Sequence, residues 1–289
     1  MVISGKELSD GIISRLRQET EGFPKKYGRV PALAVVLVGE DPASCIYVRN
    51  KERACEKVGI SHRTVRLPET ITQQELLECV ESLNDDPTVD GILVQLPLPA
   101  HIDEARVTAA IAYTKDVDGF HPLNAAALWH GRDNAAIGRD YSVACTPRGI
   151  MRILSAAGVD PAGKRAVVVG RSNIVGMPIA KLLLNADATV TVCHSKTKDL
   201  AGITRTAEIL VVATGHPGLI TGEMVRDGAC VVDVGINRLP DGRLCGDVDF
   251  EAVAPKASVI TPVPGGVGPM TVCSLLENTI DCFLRNHAI

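Results

Sequence analysis

Aromatic residues are scarce in this chain: phenylalanine, tyrosine and tryptophan make up 3% of 289 residues, with one tryptophan among them. A core built from such a sequence is aliphatic. No run approaches the roughly 18 consecutive apolar residues of a membrane span, so none is expected. Basic stretches never exceed a few residues and the formal net charge is −4, which argues against a nucleic-acid face. The opening Met1-Val2-Ile3-Ser4-Gly5-Lys6 lacks the charged start and apolar core of a secretory leader. Cysteine is present without pattern. The nine cysteines make an odd count, no two form a C-x-x-C pair, and no cysteine/histidine set has zinc-ligand spacing. Reduced thiols in a cytoplasmic protein, and no bound metal, are the expectation. Internal repeats and low-complexity tracts are also missing. What remains is a composition of 46% hydrophobic and 22% charged residues, typical of an α/β protein of one large or two ordinary domains.

Strand and helix signals alternate along the chain, which implies parallel sheets built from βαβ units. Residues 33–38 form an apolar β run. Asp41-Pro42 then supplies a helix N-cap followed by proline at the first helical position, and Gly59 supplies the stop. A strand at 63–67, an amphipathic helix at 72–83, a buried strand at 91–96 and a short helix near 107–112 follow. Residues 116–149 are rich in Gly, Asn, Pro and Asp and carry little regular pattern, so they read as the crossing between two domains. The alternation then restarts: helix near 147–157, strands at 166–169, 189–193, 208–213, 229–234 and 258–263, and a final helix over 270–286. That last helix is expected to return to the first domain. The expected division is 1–140 with 270–289, and 141–269.

The glycine turn Gly170-Arg171-Ser172-Asn173-Ile174-Val175-Gly176 follows the β-branched run Val167-Val168-Val169 and opens a helix. A strand, a glycine turn and a helix N-terminus together make a phosphate cradle. The next strand ends in His194-Ser195-Lys196-Thr197, with no acid. A fold selecting NAD usually places an acid there for the ribose 2′-hydroxyl. Arg171, Ser195 and Lys196 suit a 2′-phosphate instead, so the cofactor expectation is NADP. Further polar groups recur at later strand ends, in Thr214-Gly215-His216 and Gly235-Ile236-Asn237. An ordinary βα turn would look similar locally.

Four other segments carry candidate chemistry. Tyr47 and Lys51, four apart on a helix, share one face. A lysine half-desolvated there can act as a general base, and the ring can stack on a flat substrate; a solvated lysine beside a half-buried tyrosine is the plainer alternative. Gln95 is a polar amide at the end of an apolar strand and needs a partner if buried, either a neighbouring loop or Lys51. Asp116-Val117-Asp118-Gly119 is either a common Asp-Gly turn or a carboxylate set to receive paired N–H donors of a heterocycle. The stretch Thr261-Pro262-Val263-Pro264-Gly265-Gly266-Val267-Gly268-Pro269 is either a stiff connector or a loop that brings backbone close to a cofactor.

Taken in order, Tyr47-x-x-x-Lys51, Gln95-Leu96-Pro97-Leu98-Pro99, Lys115-Asp116-Val117-Asp118-Gly119, Cys145-Thr146-Pro147, Gly170-Arg171-Ser172-x-x-Val175-Gly176-x-Pro178 and Pro264-Gly265-Gly266-Val267-Gly268-Pro269-Met270-Thr271 resemble the bifunctional methylenetetrahydrofolate dehydrogenase/methenyltetrahydrofolate cyclohydrolase family over nearly the whole chain. Ala144 departs from the proline common there. The resemblance implies a folate-binding catalytic domain, a Rossmann-type NADP-binding domain and a homodimer. It implies NADP-dependent oxidation of 5,10-methylenetetrahydrofolate and hydrolysis of the 5,10-methenyl product to 10-formyltetrahydrofolate. It assigns acid/base work to Lys51, with Gln95 as its hydrogen-bond partner. Asp118 would hold the pterin and Tyr47 would stack on the folate linker, with Leu96, Pro264, Gly265 and Gly266 lining the substrate. Gly170, Arg171, Ser172, Ser195, Thr214 and Ile236 would bind NADP. Two other readings stay open on the sequence: an NADP dehydrogenase of another small substrate, such as a shikimate-type enzyme, and a nucleotide-binding regulator without catalysis.

Overall fold

The structure is a computed structural model that describes residues 1–287. The chain divides into two compact units. One holds Gly11–His130, Ala135–Cys145 and the chain from Val272 onward; the other holds Met1–Asp10, Gly131–Asn134 and Thr146–Thr271.

In the first unit the elements run α1 (Gly5–Glu21, from Gly11 onward), α2 (Phe23–Tyr27), β1 (Ala32–Val38), α3 (Pro42–Val58), β2 (Ser61–Leu67), α4 (Gln73–Asp85), β3 (Gly91–Val94), α5 (Glu104–Ala110) and α6 (Pro122–His130). The three strands are parallel, in the order β2-β1-β3. Parallel strands are covered on both faces, and β1 records this in its side chains. Leu33, Val35 and Leu37 enter one core with Val48, Val58, Leu276 and Phe283, while Ala34, Val36 and Val38 enter another with Leu76, Val80 and Val107. The few aromatic rings are concentrated: Phe23 stacks on Phe283 at 5.4 Å and Tyr27 meets the same ring edge-on at 5.1 Å.

Local signals explain the helix ends. Asp41 accepts from Ser44 N–H at 2.7 Å, and Gly59 closes α3 in the left-handed conformation with φ 78°. Thr72 and Glu75 form a reciprocal capping box on α4. The expected irregular crossing at 116–149 is corrected: it contains α6, a nine-residue helix that starts on Pro122 and buries Asn124 and Leu128. Its alanine run is flanked by so much Gly, Asn and Asp that the helical period is hidden.

The second unit runs α7 (Cys145–Ala156), β4 (Arg165–Val169), α8 (Gly176–Asn185), β5 (Thr189–Cys193), α9 (Leu200–Thr204), β6 (Ile209–Val212), β7 (Cys230–Asp233), β8 (Asn237–Arg238), β9 (Leu244–Cys245), α10 (Phe250–Val253) and β10 (Val259–Ile260). Five strands make a parallel sheet in the order β10-β7-β6-β4-β5, and β8 with β9 makes a small antiparallel hairpin. The strand expected over 258–263 is shorter, at Val259–Ile260, because Pro262 and Pro264 donate no N–H to a ladder. Met1–Asp10, expected with the first domain, groups here: Val2 bridges Ile260, and Ile3 N–H donates to its carbonyl at 2.9 Å. The last helix, α11 (Val267–His287), carries the chain back, and its Leu275, Leu276, Ile280 and Phe283 fill the first unit's core. Among the described residues, no helix is long and apolar enough to cross a membrane. All nine cysteines are free thiols, and burial pushes those of Cys55 and Cys230 up to about 12, so they serve as small apolar side chains.

Candidate functional site

Open parallel sheets bind ligands beyond the carboxyl ends of their strands, where consecutive crossovers leave in opposite directions. Each unit has one such switch point. In the first unit it lies between β1 and β3, because β2 joins one edge of β1 and β3 the other. Gln95 follows β3 directly, with its N–H donating to Val36 O at 2.9 Å. Its side-chain N–H donates to Leu96 O at 2.6 Å, which turns Oε1 outward. That oxygen accepts from Lys51 Nζ at 2.9 Å. The sequence left Gln95 between a loop partner and Lys51; it has both. Lys51 is half-buried, and Tyr47, one turn earlier on α3, is exposed.

Asp118 sits in a turn built by buried groups. The segment before it extends the sheet past β3, with Ile92 N–H donating to Lys115 O at 2.8 Å. Lys115 Nζ donates to the α4 end carbonyls of Asn84 and Asp86 at 2.6 and 2.7 Å. Asp116 accepts from Gly119 N–H at 3.0 Å, His121 N–H at 2.8 Å and Asn124 Nδ2 at 2.8 Å. Gly119 has φ 71°, and a side chain there would collide with the Val143–Ala144 backbone. Asn278 on α11 donates through Nδ2 to Val117 O at 2.7 Å and Val143 O at 2.9 Å, and the Cys145 thiol donates to Val117 O at 3.3 Å. Burial pushes the Asp118 carboxyl up to about 6, against the pull of the Lys51 charge; Asp116 adds to the rise. A lysine, its amide partner and a carboxyl of raised pKa thus belong to one small constellation. Asn278 escaped the sequence reading because an asparagine inside an apolar helix carries no spacing signal.

In the second unit the switch point lies between β4 and β6. The turn after β4 is the glycine turn. Gly170 has φ 123°, and a side chain on it would strike Ala213 O; one on Gly176 would strike Gly170 O. Ser172 Oγ accepts from Val175 and Gly176 N–H at 3.2 and 3.3 Å, so this hydroxyl holds the turn that leads into α8. Arg171 and Ser195 are both exposed. The Ser195 turn is held by His194 N–H donating to Thr197 Oγ1 at 2.8 Å. Beyond β6, Thr214 N–H donates to Asp247 at 2.6 Å, and beyond β7 Ile236 presents an exposed apolar side chain. Gly265 has φ 99°, and its carbonyl accepts from Lys6 N–H at 3.1 Å, which ties the exposed Pro264 and the buried Gly266 to the start of α1.

Two family models match the chain: the tetrahydrofolate dehydrogenase/cyclohydrolase catalytic domain over residues 3–118, and the NAD(P)-binding domain of the same family over residues 144–287. A bifunctional protein FolD of Moorella thermoacetica is 54% identical over 284 residues, covering 98% of this chain and 99% of the relative. The structure of the bifunctional FolD methylenetetrahydrofolate dehydrogenase/cyclohydrolase from Campylobacter jejuni superposes with a TM-score of 0.93 at 50% identity, covering 99% of each chain. That of the Trypanosoma brucei N5,N10-methylenetetrahydrofolate dehydrogenase-cyclohydrolase, solved with NADP and an inhibitor, gives 0.94 at 41% identity, covering 100% of this chain and 99% of that one.

Proposed function

This chain belongs to the tetrahydrofolate dehydrogenase/cyclohydrolase family, and from that premise we propose how its residues divide the work. The enzyme oxidises 5,10-methylenetetrahydrofolate with NADP and hydrolyses the resulting 5,10-methenyltetrahydrofolate to 10-formyltetrahydrofolate. The observation that carries the assignment of roles is the 2.9 Å bond from Lys51 Nζ to Gln95 Oε1 at a sheet switch point. In the hydrolysis, water adds at the one-carbon bridge, a C–O bond forms, the bond to N5 breaks and one proton is released. Lys51 handles that proton at the one-carbon bridge. Gln95 aims it, since the Leu96 carbonyl fixes which way the amide faces. The Asp118 carboxylate receives pterin N–H donors, and the exposed Tyr47 ring stacks on the flat part of the substrate. Leu96, which follows Gln95, lines the substrate in the first unit.

The second unit fits NADP. Gly170 and Gly176 hold a tight turn at the N-terminus of a ten-residue helix, where anions are stabilised. Arg171 and Ser195 bind the 2′-phosphate, Gly170 and Ser172 the diphosphate side, and Thr214 and Ile236 the remaining part of the dinucleotide. When bound, NADP accepts the hydride that leaves the methylene carbon. The same reading covers a homodimer formed through this unit, tested by light scattering at twice the 30.6 kDa chain mass, and a cytoplasmic location, tested by cell fractionation and supported by nine free thiols.

Lys51→Met tests the assignment. Its expected result is loss of methenyl hydrolysis, followed by the decay of methenyl absorbance. Near-normal hydrolysis would remove Lys51 from its role.

A further inference from the structure

The second unit contains a buried pair of carboxylates with no part in the roles above. Asp233 ends β7 and Asp247 follows the β8–β9 hairpin; they are 3% and 0% exposed. Asp233 spends its carboxylate on backbone: it accepts from Gly235 N–H at 3.0 Å, Asp247 N–H at 2.9 Å and Val248 N–H at 3.0 Å. This fixes the backbone of Asp247. The Asp247 side chain then reaches two other loops. Its Oδ2 accepts from Thr214 N–H at 2.6 Å, Thr214 Oγ1 at 3.0 Å and Gly215 N–H at 2.9 Å. Its Oδ1 accepts from Asn237 Nδ2 at 2.8 Å. The approach is so close that side chains on Gly235 and Gly246 would overlap Asp247 and Asp233.

Four donors on one buried carboxylate come from the strand ends after β6 and β7. Those strand ends carry Thr214 and Ile236. We infer that Asp247 is a positioning residue for the cofactor: it locks the two loops into the arrangement that receives NADP. The inference rests on the NADP reading of this unit. Asp247 need not touch the dinucleotide. Its oxygens are already occupied, and a negative charge aimed at a phosphate would repel it. Its work is to hold backbone N–H groups and one hydroxyl that otherwise have several alternatives at an open strand end.

Asp247→Ala removes every acceptor. Asp247→Asn is the conservative rescue: Oδ1 still accepts from Thr214 and Gly215, and Asn237 can turn its amide to meet Nδ2. In Asp247→Ala the dissociation constant and KM for NADP should rise roughly tenfold or more, with kcat at saturating NADP near the parent value. Asp247→Asn should lose roughly threefold and recover the rest. Hydrolysis of added 5,10-methenyltetrahydrofolate needs no NADP and depends on residues in the first unit, so its kcat and KM should stay unchanged in both variants. NADP affinity within twofold of the parent in Asp247→Ala overturns the inference. So does hydrolysis that falls in step with NADP binding, which would mark a general folding role. Where Asp247→Ala does not fold, the same split is read in Asp247→Asn, and parent-like NADP affinity there overturns it. A parent enzyme that fails to bind NADP would refute the reading of the unit itself, and is distinguishable from these outcomes.

Discussion

Asn278→Ala is the most direct test of how the folate side is held in place. Asn278 is fully buried on α11 and donates to Val117 O at 2.7 Å, to Val143 O at 2.9 Å and to Cys145 Sγ at 3.5 Å. An orphaned buried polar group costs about 1–3 kcal/mol. Val117 O keeps the Cys145 thiol as a donor at 3.3 Å, so its loss is partial. Val143 O bears the larger share. Adding the small cavity left by truncation, the expected destabilisation is about 2–4 kcal/mol. Urea unfolding followed by Trp129 fluorescence reads it, because the single tryptophan lies on α6 in the same unit. Asn278→Asp sharpens the test. It keeps the size but sets a carboxylate against two carbonyl oxygens, and should cost more than alanine. Function should follow geometry: Val117 precedes Asp118, so the KM for methenyltetrahydrofolate should rise while the NADP dissociation constant holds. A stability loss below about 0.5 kcal/mol, typical of an unremarkable surface site, would refute the reasoning.

Two further outcomes are expected. Asp118 must be ionised to accept pterin N–H donors, and burial raises its carboxyl to about 6, with the Lys51 charge opposing and Asp116 assisting. Folate KM should therefore rise on acidification through about pH 6 and level off above it; a flat KM across that range, or the same slope in Asp118→Asn, refutes the role. Arg171→Ala should weaken NADP by roughly tenfold to a hundredfold while leaving the weaker NAD reaction unchanged, as judged by kcat/KM with each cofactor. An equal loss with both would remove Arg171 from the 2′-phosphate.

Features that depend on near neighbours in sequence were legible. The Asp41-Pro42 start and Gly59 stop of α3, the amphipathic face of α4 and the apolar face of α11 each need only a few residues to be recognised. The strand positions followed for the same reason, since β1 is buried on both faces and reads as continuous apolar sequence. The helix α1 went unread although Ser4, which accepts from Glu7 N–H at 3.3 Å, stands before it and Gly22 follows it, because its polar mean composition hides the apolar face. The Lys51–Gln95 bond joins residues 44 apart, and spacing alone left loop and lysine as competing partners for Gln95. The backbone resolves that competition by giving each polar end of the amide its own partner.

The supports of both candidate sites share one physical solution, and the reach of that solution along the chain decides which of them the sequence shows. Chain leaving the carboxyl end of a parallel strand carries N–H groups that no neighbouring strand accepts. A single aspartate, with its several acceptor directions, can gather a cluster of them. Asp116 does this for Gly119, His121 and Asn124 beside Asp118, and Asp247 does it for Thr214, Gly215 and Asn237 beside Ile236. The residues proposed to meet substrate or cofactor can then be exposed and few, because their rigidity comes from a carboxylate one layer below. Asp116 works over three to eight residues and lies inside a recognisable turn. Asp247 works across 33 residues to Thr214, a distance over which no local pattern survives. Sequence reading thus reaches polar groups at the strand ends and the anchors that are local to them. It misses anchors supplied from another strand end, and a functional deficit in Asp247→Ala without loss of the hydrolytic reaction is what separates such an anchor from an ordinary buried acid.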